Sequence, residues 1–411
     1  MATRIFCSVL FISLIILGGC KEERITSPGS YPRQIIIPPY SDLPKESENI
    51  PIPTISQSNE TSIVAKDRIQ QTTYFLSGKW VEDPSDPLDA YTKTKGYIDF
   101  RTNLQKDWKL YTTVALLPFR EWLDKNFSEQ YSDTILYPFS GPDIPNAFTI
   151  YPNASKYILI GLEAGGFLPT LVGDSDEKKT KGLRELNSSL DSISRLNFFL
   201  TNKMKINITA AVYQGTAPVI ISYMGIMGYD VLEIKPITFG SSGEIKYLTE
   251  EDISKDINFK KGFVSLEIKF RDKNSKTKTL YYISGNVSNQ GLEKDPSILE
   301  FLKTLGRFSA TFKAASFLLH YDQFTRIRDF ILSTTDLIVM DDTGPRIKDL
   351  KKDFDIKVFG IYTRPIALWP NMFQQDLKDL HTEQKPLPIP FKYGYGTLNK
   401  TYHLIIANRK K

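Results

Sequence analysis

The chain has 411 residues, of which 41% are hydrophobic, 12% aromatic and 24% charged. That make-up excludes global disorder and suits a packed body of one large or two average domains. The net charge of +5 is small for the length and spread along it, which argues against nucleic acid as a partner.

The first four residues carry one positive charge, and residues 5–17 are apolar apart from Cys7, Ser8 and Ser13. A helix needs about 20 apolar residues to cross a bilayer, so this run reads as the core of a secretory signal. It ends in Leu17-Gly18-Gly19-Cys20, after which the composition turns polar at Lys21-Glu22-Glu23. The four residues resemble the lipobox of bacterial lipoproteins: an aliphatic residue, two small ones, then cysteine. The resemblance implies a signal peptide over 1–19, cleavage before Cys20 and diacylglycerol joined to its thiol through a thioether. The new amino group is often acylated too in that class, and two or more chains anchor stably where one is marginal. An ordinary signal peptide with a chance cysteine is the plainer alternative. Lys21 rather than Asp follows the cysteine, which by the usual sorting rule favours the outer over the inner bacterial membrane. The expected partner is thus the membrane, through Cys20.

Only two cysteines occur, and Cys7 leaves with the leader. The mature chain would keep Cys20 alone, so the body would fold without an internal disulfide and without thiol chemistry. Residues 20–60 read as a tether: Pro28, Pro32, Pro38, Pro39, Pro44, Pro51 and Pro53 interrupt helix and interior strand alike. Roughly 40 such residues reach on the order of 100 Å when extended. Ile35-Ile36-Ile37 is its one apolar cluster, able to dock as an edge strand.

The body begins with a helical region over 61–130. Residues 61–79 predict a helix marked by Ile63, Ile69 and Phe75, with Gly78 as its stop. After the turn cluster 82–87, residues 88–127 predict a longer helical stretch that Pro118 bends or divides. Trp108, Leu110, Val114, Leu117 and Trp122 mark its buried side. An α/β domain follows over 131–411, and 61–411 is expected to form one unit. Residues 134–139 predict a strand, 144–151 two helical turns and 156–163 a second, buried strand, together a βαβ unit. Leu183, Leu186, Leu190, Ile193 and Leu200 recur at helical spacing and predict a helix over 183–204. Residues 217–223 and 230–237 read as apolar strands. Strict alternation over 263–270, a polar loop and the return over 279–284 predict an antiparallel hairpin. Two helices are expected over 298–319 and 324–332, then strands at 336–340, 355–362 and 402–407, with an aromatic loop at 393–396. The expected class is α/β: a mixed sheet with a Rossmann-like βαβ portion, an antiparallel hairpin and an N-terminal helical region.

Strands that end in acids carry the chemistry. Ligands of open α/β sheets bind beyond the carboxyl ends of strands. Ser140-Gly141-Pro142-Asp143, Glu163-Ala164-Gly165-Gly166 and Asp341-Asp342-Thr343-Gly344 all occupy such places. Were their strands parallel neighbours, Asp143, Glu163, Asp341 and Asp342 would converge on one rim, to hold a divalent cation or act as acid and base. The competing reading makes them caps and turns, with Asp143 heading the helix that follows it. Glu163 lies about 20 residues after Gly141, where dinucleotide-binding and class I methyltransferase folds place a ribose-binding acid. The loop before it is Ser-Gly-Pro-Asp rather than G-x-G-x-x-G, and Pro142 lacks a phosphate-binding N–H. No cofactor is therefore expected. His320, one of three histidines, is the remaining catalytic candidate. No G-x-S-x-G elbow or H-E-x-x-H motif accompanies it, and a capping or buried hydrogen-bonded role competes. The basic residues between Lys255 and Lys278 read as a solvated face, with anionic lipid or a host polyanion as the alternative contact.

The stretch 137–143 through Gly161-Leu162-Glu163, with Asp341-Asp342-Thr343-Gly344 later, resembles a group of uncharacterised secreted bacterial proteins, which implies no assigned activity. The expectation is a lipid-anchored envelope protein that binds without catalysing. The alternative is an enzyme with a carboxylate-lined site, metal-dependent or a degenerate Rossmann or methyltransferase relative.

Overall fold

The computed structural model describes residues 68–80, 82–127, 130–196, 212–363, 370–394 and 402–411, all of which belong to one compact unit, Val64–Lys411. The leader, Cys20 and the tether lie outside the described residues.

Ten strands form one mixed sheet in the order β4-β3-β5-β6-β2-β1-β7-β8-β10-β9. The strands are β1 (Thr134–Pro138), β2 (Lys156–Gly161), β3 (Asp230–Phe239), β4 (Ile245–Tyr247), β5 (Ser265–Arg271), β6 (Thr277–Ser284), β7 (Phe308–Phe312), β8 (Thr335–Met340), β9 (Phe354–Gly360) and β10 (His403–Arg409). The expected α/β class, βαβ unit and hairpin are all present. β1 and β2 run parallel through the helix Ile144–Ile150, and β5 and β6 pair antiparallel. Side chains alternate between two cores on opposite faces of the sheet. Ile135, Tyr137, Tyr157 and Leu159 face one core; Leu136, Ile158 and Ile160 face the other. This period of two is the strand geometry itself. The first core packs under the N-terminal helices and those at Asp176–Leu196 and Ala217–Met227. The second packs under Ser297–Thr304, Thr325–Thr334 and Gln375–Gln384. The result is a three-layer α/β/α arrangement.

The N-terminal helices form where expected, but their buried side is another one: Leu117 is exposed, Trp108, Leu110, Val114 and Trp122 are half-buried, and Phe100, Leu104, Tyr111, Leu116, Phe119 and Leu123 are buried instead. The first described helix is Arg68–Leu76, and Gly78 beyond it adopts φ +68°. The helix Lys95–Tyr111 starts at Thr94, whose hydroxyl accepts the Tyr97 N–H, and passes through a π-helical turn, Thr112–Leu116, into Leu117–Asn126. Pro118 sits in the first turn of that last helix. The π turn thus falls where the proline, lacking an N–H, cannot continue regular bonding.

Three further expectations fail. Residues 217–223 are not a strand but the start of the helix Ala217–Met227. It is buried nearly all round, so it lacks a polar face and reads as an apolar run. Pro218 in its first turn and Gly228 in the left-handed conformation after its last mark its ends. Residues 298–319 are not one helix. The helix stops at Thr304, Gly306 turns with φ +79°, and Phe308–Phe312 becomes β7, the strand between β1 and β8. Third, the helix expected at 183 starts earlier, at Asp176, where Asp176 and Glu177 face the positive end of the helix dipole. Its expected end at 204, the first residues of the 61–79 helix and the 395–396 part of the aromatic loop lie outside the described residues.

Both sheet edges are managed. β4 is three residues long. On β9 the Gln384 side chain donates to Ile356 O and accepts from Val358 N, while Gly360 N–H donates to Leu387 O. A capped or short edge offers little for another strand to pair with.

Candidate functional site

β6, β2, β1, β7 and β8 are parallel neighbours, so their carboxyl ends share one rim. From β1 the chain goes to β2 on one side and later returns to β7 and β8 on the other. The order therefore reverses between β1 and β7, the place where open α/β sheets bind ligands.

Asp143 comes off β1 at that point and Lys313 off β7. Lys313 Nζ lies 2.8 Å from Asp143 Oδ2, with the two side chains 0% and 2% exposed. Tyr137 donates its hydroxyl to the same oxygen at 2.9 Å. Asp143 occupies the cap position of the helix Ile144–Ile150, yet its side chain makes no capping bond. Its other oxygen, Oδ1, is buried without a hydrogen-bond partner among the described residues. Over the pair lies Tyr393, whose ring centroid is 6.0 Å from Lys313 Nζ and whose hydroxyl is 3.5 Å from Thr311 Oγ1. Burial first, then the Asp143 charge, hold the Tyr137 hydroxyl protonated far above its ordinary range. Burial and Asp341 do the same for Tyr393.

Asp341 follows β8. Its Oδ1 accepts from Thr343 N at 3.0 Å and Thr343 Oγ1 at 2.6 Å, the turn chemistry expected of Asp-Asp-Thr-Gly. Its Oδ2 accepts from Ala314 N at 3.0 Å, which ties the β8 end to the β7 end. Ala314 pays for that bond with φ +64°, a strained value for a residue with a Cβ. Gly394 covers the same carboxylate, and a Cβ there would sit 1.9 Å from Oδ2. Burial, then the neighbouring Asp342 carboxylate, push the Asp341 carboxyl up to about 6.

Asp342 faces the other way. Its N–H donates to His403 Nε2 at 3.0 Å, and its Oδ1 lies 3.3 Å from the same nitrogen. Its carbonyl accepts from Gln374 Nε2, and Gln374 N–H donates to the Tyr362 hydroxyl. His381 packs beside His403 with ring centroids 6.4 Å apart. Burial lowers His381 from its ordinary value. His320 joins its Nε2 to Gly344 O at 2.7 Å, which makes Nε2 the protonated nitrogen, and burial lowers it to about 4. All three histidines are therefore hydrogen-bonded in or near the rim's β8 side.

Glu163 stands apart, off β2. The Tyr282 hydroxyl lies 3.2 Å from its carbonyl oxygen and 3.3 Å from Oε2. A Cβ on Gly161 would come within 2.5 Å of both Oε2 and the Tyr282 oxygen, so the glycine is what lets the carboxylate turn inward. The position expected of a ribose-binding acid holds a group 2% exposed.

Of the four acids, the fold brings Asp143 and Asp341 to the same two tyrosines, Tyr137 and Tyr393. Asp342 is adjacent but oriented to His403, and Glu163 is separate. Among the described residues no group of three His, Cys, Asp or Glu side chains has the arrangement to hold a metal ion. Lys313, Tyr137 and Tyr393 were not anticipated as site residues. The Lys313 signal lies inside β7, a strand hidden in a run of helical appearance. No family model, curated protein or solved structure matches the chain.

Proposed function

We propose that the chain is a lipid-anchored protein of the bacterial cell envelope, held through Cys20, whose body binds a ligand or partner without catalysis. The address rests on Leu17-Gly18-Gly19-Cys20, and Lys21 favours the outer membrane. Among the described residues no helix is long and apolar enough to cross a membrane. The non-catalytic reading is carried by one observation: the rim acids are already engaged inside the fold. Asp143 faces Lys313, Asp341 takes amide and hydroxyl donors, and Asp342 is buried beside His403, which accepts its backbone N–H. A general acid or a cation ligand needs a lone pair or proton turned toward solvent-borne substrate, whereas these are turned toward the protein.

Detergent-phase partitioning of the full chain tests the anchor. Wild type should enter the detergent phase and Cys20→Ser should not; a Cys20→Ser chain that still partitions would sink the claim. The second test is thermal unfolding of the full chain with Mg²⁺, Ca²⁺, Mn²⁺ or Zn²⁺. A flat response is expected. A cation-induced rise that Asp341→Asn abolishes would replace the reading with a metal site.

A second reading has a specific observation behind it. A carboxyl poised at about 6 beside two buried tyrosine hydroxyls can exchange a proton near neutral pH. That favours an enzyme working at Asp341, and it requires Gly394 to move off the carboxylate. Hydrogen exchange at Gly394 no faster than global unfolding alone allows would rule the opening out.

A further inference from the structure

The parallel half of the rim is filled, and the antiparallel half is not. Beyond the end of β3, the start of β5 and the end of β6, a cavity of about 50 Å³ remains open at the surface. That is room for a few water-sized groups and too little for a whole ring. Four hydroxyl-bearing residues, Thr238, Ser265, Ser284 and Ser297, are among those that line it. Ser265 Oγ accepts from Ser284 N at 3.2 Å, and its own proton has no acceptor among the described residues. The hydroxyls of Thr238, Ser284 and Ser297 make no hydrogen bond among the described residues, although Ser297 is only 5% exposed. A hydroxyl with no partner inside the fold is completed by water or by whatever enters the cavity. Asp295 stands at the mouth, with Oδ1 accepting from Ser297 N at 3.0 Å. Phe259 and Phe263 also line it, although the surface it exposes is mostly polar.

From this we infer that the notch is a binding site for the polyol end of a ligand, the hydroxymethyl or vicinal-diol edge of a sugar or a glycerol unit. The inference rests on the non-catalytic binding reading and names its ligand chemistry. Serine and threonine hydroxyls both donate and accept, and so do the hydroxyls of a polyol. A single carboxylate, half engaged by an amide, accepts one further hydroxyl.

Saturation-transfer NMR on the full chain in a non-glycosidic detergent tests the site, with glycerol, D-glucose and methylammonium as probes. Saturable transfer to glycerol, to glucose or to both is expected, and which of them responds tells the source of the diol. Thr238→Val with Ser297→Ala should weaken that binding about tenfold while the unfolding temperature stays put. No transfer to either polyol, or transfer unchanged in the double variant, overturns the site. Methylammonium binding that Asp295→Asn abolishes, with both polyols silent, overturns the ligand class and leaves a cation notch. None of these outcomes touches the anchor at Cys20 or the response to divalent cations, so the broader reading stands or falls separately.

Discussion

The two halves of the rim use the same sheet edge in opposite ways. Where β1, β2, β7 and β8 end, charges are buried and two of them are answered internally: Lys313 to Asp143, and Ala314 and Thr343 to Asp341. Where β3, β5 and β6 meet, the groups are neutral hydroxyls and several have no internal answer. A buried charge without a partner is costly, so charges placed at strand ends pull distant residues over themselves and close the space. An unanswered hydroxyl costs far less and can be left for a ligand or water. The charged half is therefore expected to respond to mutation through stability, and the hydroxyl half through binding.

Lys313→Met should break the charged half most severely. It strands Asp143 in the core, and removing one member of a buried pair costs about 3–5 kcal/mol. Urea unfolding measures the loss. Adding Asp143→Asn, which keeps an acceptor for Tyr137 but no charge, should restore most of it. A double variant no more stable than Lys313→Met would show that packing, not charge, sets the cost.

Acid should reach the same half through its histidines. Folded His320 stays neutral down to about 4, while its unfolded counterpart takes a proton near 6.5. Between those values the unfolded chain binds the additional proton. Stability from this group is complete above about pH 6.5 and falls as pH drops toward 4, by about 3 kcal/mol in all. His381, also lowered by burial, acts in the same direction. Asp341 opposes them: its folded carboxyl holds a proton from about 6 downward, so acidification through that range favours the fold. His320→Asn keeps a donor for Gly344 O and removes the titration. Denaturation midpoints between pH 7 and pH 4 should then fall less steeply than in wild type, and an unchanged profile would take His320 out of the account.

Gly394→Ala comes next. The new Cβ would meet Asp341 Oδ2 at 1.9 Å, on a backbone with φ +54°, and about 1–3 kcal/mol should be lost. Thermal unfolding checks it. A neutral result would mean that the Tyr393–Gly394 cover lifts readily, which favours the enzyme reading over the binding one.

How much of this was legible follows from where each partner sits in the chain. The acids stood out because a strand pattern ending in Asp or Glu is a local signal, and β1, β2 and β8 are short apolar runs with turn residues behind them. Their partners were not local. Lys313 is 170 positions from Asp143 and follows Phe308–Phe312, a strand whose five residues continue an apolar helix and are set off only by Gly306. Without β7 the switch point between β1 and β7 has no address. The helix Ala217–Met227 misled for the complementary reason: burial on every side erased the polar stripe by which helical period is read, leaving only Pro218 and Gly228 to mark it. The hydroxyl notch had no sequence signal, because Thr238, Ser265, Ser284 and Ser297 lie on three strands and a helix start and are ordinary residues in each.

The smallest expected effect is the sharpest test of the contrast. Ser297→Ala removes the hydroxyl of a residue that is 5% exposed, a group that makes no hydrogen bond among the described residues. Deleting a polar group that has no partner leaves nothing stranded, and the alanine loses only the atom facing the cavity. Thr238→Val does the same with a nearly isosteric side chain. Each should change unfolding free energy by less than about 0.5 kcal/mol, in either direction. Asp143 and Asp341 allow no such substitution, because each has at least one buried donor that would be left behind. If Ser297→Ala costs as much as Gly394→Ala, its hydroxyl is bonded within the fold, and the notch is part of the closed structure rather than a place kept open for a ligand.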